Sequence, residues 1–294
     1  MDFLRPATWA EALEAKAARP GAVPIAGGTD VMVELNFDRH RPEALLDLNR
    51  IGELAAWEYD DHDRVRLGAA VSYSRIITEL GDVLPGLAMA SRTVGSPQIR
   101  NRGTVGGNLG AASPAGDSHP PLLATGAVVE VESTRGLRTI PAEEFYTGVK
   151  RNALEPDELI RAVVLDRARG PQQFAKIGTR NAMVISVSAF AIALDPERRT
   201  VGTGIGSAAP TPRRAREAEE FLAGELEAAG LWESRLPLPD ALAKEFGRRV
   251  KAAASPIDDV RGTAAYRLHS LTVMARRTLG WAWTDLTNDQ RKAS

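Results

Sequence analysis

The chain has 294 residues, 44% apolar and 26% charged, with 37 basic against 38 acidic side chains and no cysteine. This length supports two or three compact units with buried cores, and a formal charge of -1 gives no electrostatic ground for a nucleic-acid or anionic-membrane partner. Without cysteine there is no disulfide, thiolate-held iron–sulfur cluster, thiolate zinc site or cysteine nucleophile, which fits a reducing cytoplasm, the expected location.

In the opening MDFLRPATWAEAL, Arg5-Pro6 interrupts any signal-peptide core, so the mature chain is expected to start at Met1. Thr8 reads as the N-cap of an amphipathic helix reaching Ala18, and Ala22 to Ile25 as a short strand. Ala44 to Leu48 and Val65 to Val71 read as strands, Tyr73 to Leu80 as a helix, and Gly86 to Val94 as a helix ended by Gly95-Ser96-Pro97. Val128 to Glu132 and Leu137 to Ile140 form a hairpin candidate, followed by a short helix at Pro141 to Phe145 and a strand at Leu159 to Leu165.

The polar stretch with Gly170-Pro171 marks a boundary. Beyond it, Phe174 to Lys176, Ile185 to Leu194 and Val201 to Ser207 read as a new sheet, and Arg213 to Leu222, Leu238 to Lys251 and Gly262 to Leu279 as helices. The organisation expected is a first subdomain at 1–57, a second at 58–172, a C-terminal domain at 173–286 and a frayed tail at 287–294. The longest nearly apolar run, Ala182 to Leu194, falls short of the roughly 20 residues that cross a bilayer.

Two glycine-bearing stretches stand out, PIAGGTDVMVEL at Pro24 to Leu35 and RGTVGGNLGAASPAGDSHP at Arg102 to Pro120. In the first, Gly27-Gly28 allows positive φ and close backbone approach, and Thr29 or Asp30 stands where an N-cap would precede Val31, so free amides face whatever anion the turn holds. In the second, Thr104 supplies a hydroxyl, Gly106-Gly107 are expected to expose backbone amides, and Asn108, Ser113 and Asp117 add partners for sugar or chain hydroxyls. Together they describe a site for a large pyrophosphate-containing cofactor, although a plain strand-to-helix turn would account for Gly27-Gly28 alone. Asp117 also suits the N-cap of a helix through Leu122-Leu123.

Other features carry less. Gly202-Thr203-Gly204-Ile205-Gly206 lacks the following helix and acidic residue of a dinucleotide fingerprint and reads as a sheet edge and loop. His40, His62, His119 and His269 show no metal-ligand spacing, so no metal site is expected. Arg100 and Arg102 could offset phosphate charge or form solvent-facing ion pairs, and spacing alone makes Lys176 and Arg180 surface charges.

The motifs AGGTD at Ala26 to Asp30, RNRGTVGGN at Arg100 to Asn108, ASPAGD at Ala112 to Asp117 and FAKIGTR at Phe174 to Arg180 together make the chain resemble, over nearly its whole length, the FAD-binding medium subunit of the molybdenum hydroxylases. This group includes xanthine dehydrogenase and aerobic carbon monoxide dehydrogenase. The resemblance implies an α+β chain with a PCMH or vanillyl-alcohol-oxidase-type FAD-binding fold in two subdomains and a C-terminal α+β domain. It implies that Ala26, Gly27, Gly28, Thr29 and Asp30, with Thr104, Val105, Gly106, Gly107 and Asn108, line the pyrophosphate. Asp117 would hold cofactor hydroxyls, Lys176 would lie near the flavin, and the Ile177 to Ile185 loop is similar to a segment that, in relatives using NAD, approaches the isoalloxazine ring and can control access to it. One departure is that many relatives carry cysteine and asparagine after GGN-Leu, where this chain has Gly110 and Ala111; backbone amides can bind regardless.

The resemblance further implies an electron outlet. Molybdopterin would sit on a large subunit and two [2Fe–2S] clusters on a small one, FAD would pass electrons to NAD or another acceptor, and the assembly would be a dimer of heterotrimers. The stretches MDFLRPATW and RPEALLDLNRI are most similar to xanthine-dehydrogenase-type subunits. Alternatives are the medium subunit of a carbon monoxide or aldehyde dehydrogenase, a non-catalytic flavin-binding scaffold, and a self-contained flavin oxidase. The last is weakened by an aromatic share of 5% and few acid–base candidates after Phe174. No side chain here is expected to act as acid or base on the organic substrate.

Overall fold

A computed structural model describes residues 1–38 and 41–293; His40 lies outside the described residues, as does Ser294 at the end of the expected tail. The chain begins with strand β1 (Asp2–Leu4), helix α1 (Trp9–Ala18), β2 (Val23–Ile25), α2 (Val31–Asn36) and β3 (Ala44–Asp47). The three strands form a parallel sheet in the order β1-β3-β2. Thr8 caps α1 by accepting from the Glu11 amide at 3.2 Å, while the Glu11 carboxylate accepts from Ala7 N at 2.7 Å. At the start of α2, by contrast, Asp30 stands at the cap position in a helical conformation and makes no side-chain cap bond.

Next come β4 (Trp57–Tyr59), β5 (Arg64–Gly68), α3 (Tyr73–Glu79), α4 (Pro85–Thr93), α5 (Pro97–Arg102), α6 (Val105–Ala111), α7 (His119–Ala124), β6 (Val128–Ser133), β7 (Gly136–Pro141), α8 (Ala142–Phe145), β8 (Tyr146–Gly148), β9 (Arg151–Asn152) and β10 (Leu159–Asp166). An antiparallel sheet in the order β4-β5-β10-β6-β7 carries helices over a core that includes Leu67, Ile76, Leu109, Val129 and Val163. Helix α4 stops at Thr93, and Ser96-Pro97, read only as a stop, also opens α5, with Ser96 accepting from Ile99 N at 3.4 Å. Leu159 of β10 packs into the core beneath α1, and Trp9 Nε1 donates to Glu132 of β6 at 2.8 Å, so the two sheets are tied together.

The last part holds β11 (Gln172–Ile177), β12 (Ser188–Asp195), β13 (Thr200–Gly206), α9 (Arg216–Ala228), α10 (Leu231–Ser234), α11 (Asp240–Ala252) and α12 (Ala264–Ala293). Along α12, Leu271, Met274, Ala275, Leu279, Ala282, Trp283 and Leu286 recur at helical spacing and bury against Phe190 and Ile192 of β12. The helix continues through the segment expected to fray, up to Ala293. Among the described residues no helix is long and apolar enough to cross a membrane.

Helix α7 lies on β13 through glycine. A Cβ on Gly202 would overlap the Ala124 carbonyl oxygen, and one on Gly204 the Pro120 carbonyl oxygen. The glycine alternation in β13 is therefore a packing device. It brings the residues just before α7 close to the new sheet, where the side chain of Lys176 in β11 meets Asp117.

Candidate functional site

Between the parallel sheet and helices α5 and α6 lies a cleft of about 620 Å³, in the size range of cofactor pockets. Ala26, Gly27, Gly28, Thr29, Asp30, Thr104, Gly106, Gly107 and Asn108 all line it, nine of the twelve cofactor-binding residues read from the sequence. The other three do not line it: Val105 is buried in the core of the five-stranded sheet, and Asp117 and Lys176 pair with each other.

The two glycine turns are held against one another by backbone contact. A Cβ on Gly27 would overlap the Arg102 carbonyl oxygen, so only glycine lets the first turn approach the end of α5. Asn49 completes the joint: its Nδ2 donates to the Ala26 carbonyl at 2.8 Å and its Oδ1 accepts from Arg102 Nη2 at 3.3 Å. Asp47, at the end of β3, accepts from the Asn49 amide at 3.0 Å and fixes that residue in an Asx turn. Asn49 was missed in the sequence; its only local signal is the Asp47-x-Asn49 spacing at a strand end.

The turns differ in what they offer. Gly28 has φ 74°, and the amides of Gly28, Thr29, Asp30 and Val31 have no protein acceptor among the described residues. The second turn corrects the expectation of exposed amides. Gly106 N donates to Ala69 O at 3.2 Å, Gly107 N to Thr104 Oγ1 at 2.9 Å and Asn108 N to Thr104 O at 3.0 Å. The Thr104 hydroxyl is thus the cap of α6 and satisfies one of its first-turn donors. What this turn presents to the cleft is the flat face at Gly107 and the Asn108 side chain, whose Oδ1 accepts from Ser118 Oγ at 2.6 Å.

Positive charge around the cleft is sparse, with Lys16 and Lys150 against the carboxylates of Asp30, Glu34, Glu155 and Glu158. Lys16 lines it but is buried, donating to Pro20 O at 2.7 Å and Ala22 O at 2.8 Å, and burial pushes its pKa down. Lys150 pairs with Glu34 at 2.5 Å, both residues belonging to the cleft lining. Neither Arg100 nor Arg102 lines the cleft: Arg100 donates to the Val94 and Gly95 carbonyls at 3.1 and 3.0 Å, and Arg102 holds Asn49. The amides of the first turn are therefore the main unsatisfied donors available to an anion.

Outside the cleft lining, Asp117 Oδ2 accepts from Lys176 Nζ at 2.6 Å and Thr93 Oγ1 at 3.1 Å, and both charged side chains are 8% exposed. Burial raises the Asp117 pKa, and the Lys176 ammonium opposes that rise. Asp117 Oδ1 is buried with no partner among the described residues. Asp117 does not cap α7, since the residue flanking that helix is Ser118, and Lys176 is no surface charge. His119 Nδ1 lies 2.8 Å from the Tyr146 hydroxyl, and burial lowers its pKa to about 3, so it is neutral near pH 7.

A cleft of this size, closed on one side by a row of four unsatisfied amides at a positive-φ glycine, fits a diphosphate-bearing cofactor such as FAD. Comparison with known proteins agrees. Residues 1–166 match the family described as the FAD binding domain in molybdopterin dehydrogenase, and residues 173–282 match the CO dehydrogenase flavoprotein C-terminal domain. The nicotinate dehydrogenase FAD-subunit of Eubacterium barkeri is 33% identical, covering 73% of this chain and 76% of its own. A putative xanthine dehydrogenase FAD-binding subunit of Escherichia coli is 29% identical, covering 95% of each chain. The solved carbon monoxide dehydrogenase of Hydrogenophaga pseudoflava superimposes with a TM-score of 0.88 at 26% identity, over 97% of this chain and 98% of the other. With the matched domain spanning more than half of its length and the fold shared almost end to end, the chain belongs to the molybdenum hydroxylase family as its FAD-binding medium subunit.

Proposed function

We propose that this chain is the electron outlet of a molybdenum hydroxylase whose organic substrate is oxidised on a partner subunit. The observation that carries the reading is the row of free amides from Gly28 to Val31 along a cofactor-sized cleft, in a chain whose family binds FAD. Phosphate oxygens accept from such amides without a charged side chain. Gly107 leaves room beside them, and Asn108 adds a polar contact. Asp117 and Lys176 pair with each other outside the cleft lining, so neither is proposed as a direct contact of the cofactor; Lys176 opposes the burial that raises the Asp117 pKa. When bound, FAD supplies the redox chemistry, taking electrons singly and releasing them in pairs; the chain binds it, orients it and keeps water from part of its length.

The partners proposed are a molybdopterin-binding large subunit and a small subunit with [2Fe–2S] clusters, in a cytoplasmic dimer of heterotrimers. The absence of cysteine supports placing every cluster on another chain. Xanthine-type oxidation with NAD or another acceptor is the favoured activity, supported by similarity to the Escherichia coli subunit over 95% of both chains. The nicotinate relative supports the same broad class, a nitrogen heterocycle.

The test is native purification with whatever copurifies, followed by FAD, molybdenum and iron analysis and by anaerobic addition of xanthine. FAD together with molybdenum and iron, and flavin bleached by xanthine and recoloured by NAD, is the expected result. FAD without molybdenum or iron would overturn the electron-outlet reading in favour of a flavin-binding scaffold. No flavin, even after reconstitution, would overturn the assignment of the cleft.

A further inference from the structure

We infer that Ser118 is a positioning residue of the cofactor cleft: its buried hydroxyl holds the Asn108 carboxamide so that the NH2 group, and not the carbonyl oxygen, faces the cofactor. This rests on the reading of the cleft as the FAD site and goes beyond it by assigning a hydrogen-bond polarity to one wall. Asn108 stands on α6 and lines the cleft, whereas Ser118, at the start of α7, is 0% exposed. Ser118 Oγ donates to Asn108 Oδ1 at 2.6 Å. Asn108 Nδ2 has no protein acceptor among the described residues, and it is not among the buried polar atoms lacking a partner, so it is the half of the amide open to the cleft.

The group behind Ser118 fixes the direction. Tyr73 Oη is buried with no hydrogen-bond partner among the described residues, and Ser118 is the one group whose hydrogen bonding would lower its otherwise raised pKa. With Ser118 donating to Asn108, its lone pairs are turned to the phenolic hydrogen. In the reverse order Asn108 would donate to Ser118, and the Ser118 and Tyr73 hydroxyls could then satisfy only one of their two hydrogens between them, leaving the other without an acceptor, which is the costly arrangement. A Cβ on Gly116 would overlap His119 Nε2 and stand 2.7 Å from Asn108 Oδ1, so glycine there leaves room for both side chains. An NH2 group in this wall attracts phosphate or ribityl oxygens; an exposed carbonyl oxygen would repel a phosphate.

The test measures FAD affinity by flavin fluorescence on the intact, deflavinated protein, for the parent, Ser118→Ala, Ser118→Cys, Asn108→Ala and the Ser118→Ala/Asn108→Ala pair. Ser118→Cys nearly keeps the volume and removes the strong donor, so it separates hydrogen bonding from packing. Both Ser118 variants are expected to bind FAD roughly five-fold more weakly, the scale of one hydrogen bond. The double variant should be no weaker than Asn108→Ala. Parent-like affinity in Ser118→Cys, or an equal Ser118→Ala loss with and without Asn108, would overturn the inference while leaving the FAD site intact. A parent chain that binds no FAD would overturn both.

Discussion

Gly27 and Gly107 occupy turns of similar sequence and meet opposite surroundings. A side chain at Gly27 would strike the backbone of Arg102, whereas a Cβ at Gly107 would meet only Thr104 Oγ1, at 3.1 Å, and otherwise open cleft. Gly106 sides with Gly27, its Cβ position lying 2.5 Å from the Ala69 carbonyl oxygen. Gly107→Val is therefore expected to fold with a melting temperature near the parent's and to lose FAD, because the branched side chain fills the space a phosphate needs. Gly27→Val is expected to lower the melting temperature of the FAD-free chain, with the overlap against backbone costing about 3 kcal/mol or more. Thermal melts and flavin content measured together check both, and an unfolded Gly107→Val or a parent-like Gly27→Val would contradict this division. The sequence makes the glycines visible but cannot sort them, since the sorting depends on Arg102 and Ala69, which only the fold brings near. Asn49 and Ser118 were unreadable as site residues for the same reason.

Elements with strong local signals were legible and those defined by distant neighbours were not. Thr8 before α1, the β6–β7 hairpin and the apolar stripe of α12 each announce themselves within one stretch of chain. β1 and β4, of three residues each, exist because β3 and β5 offer them an edge. The glycine run in β13 was read as a sheet edge and loop without a nucleotide, and its physical cause is α7 lying across it. Gly204→Val is accordingly expected to separate α7 from β13 at a cost of about 3 kcal/mol or more, since the added carbons meet backbone rather than a movable side chain. Chemical denaturation of the FAD-free chain measures this directly. Unchanged stability would mean that the close backbone contact is not what seats α7.

Across the whole molecule, the Lys176–Asp117 pair joins the C-terminal sheet to the segment leading into α7, and Thr93 Oγ1 donates to the same Asp117 oxygen. Sequence spacing gave no sign of it; the resemblance placed both residues near the cofactor, and burial supplies the reason they meet. Two charges this buried are costly apart. Lys176→Met should leave Asp117 uncompensated and destabilise the FAD-free chain by about 3–5 kcal/mol near neutral pH, with much of the loss recovered in Lys176→Met/Asp117→Asn. In the parent, burial raises the Asp117 pKa and Lys176 opposes it; without the ammonium, only Thr93 is left to oppose burial. A carboxylate whose folded pKa lies above its unfolded value of about 3.9 favours folding below that pH, and the benefit is lost as pH rises through the folded pKa. The melting-temperature gap between Lys176→Met and the parent should therefore be small near pH 4 and widen toward pH 7, as measured by calorimetry across that range. A constant gap would mean that Lys176 stabilises the join through its packed stem and not through its charge, and would remove the electrostatic reason for a lysine beside Asp117.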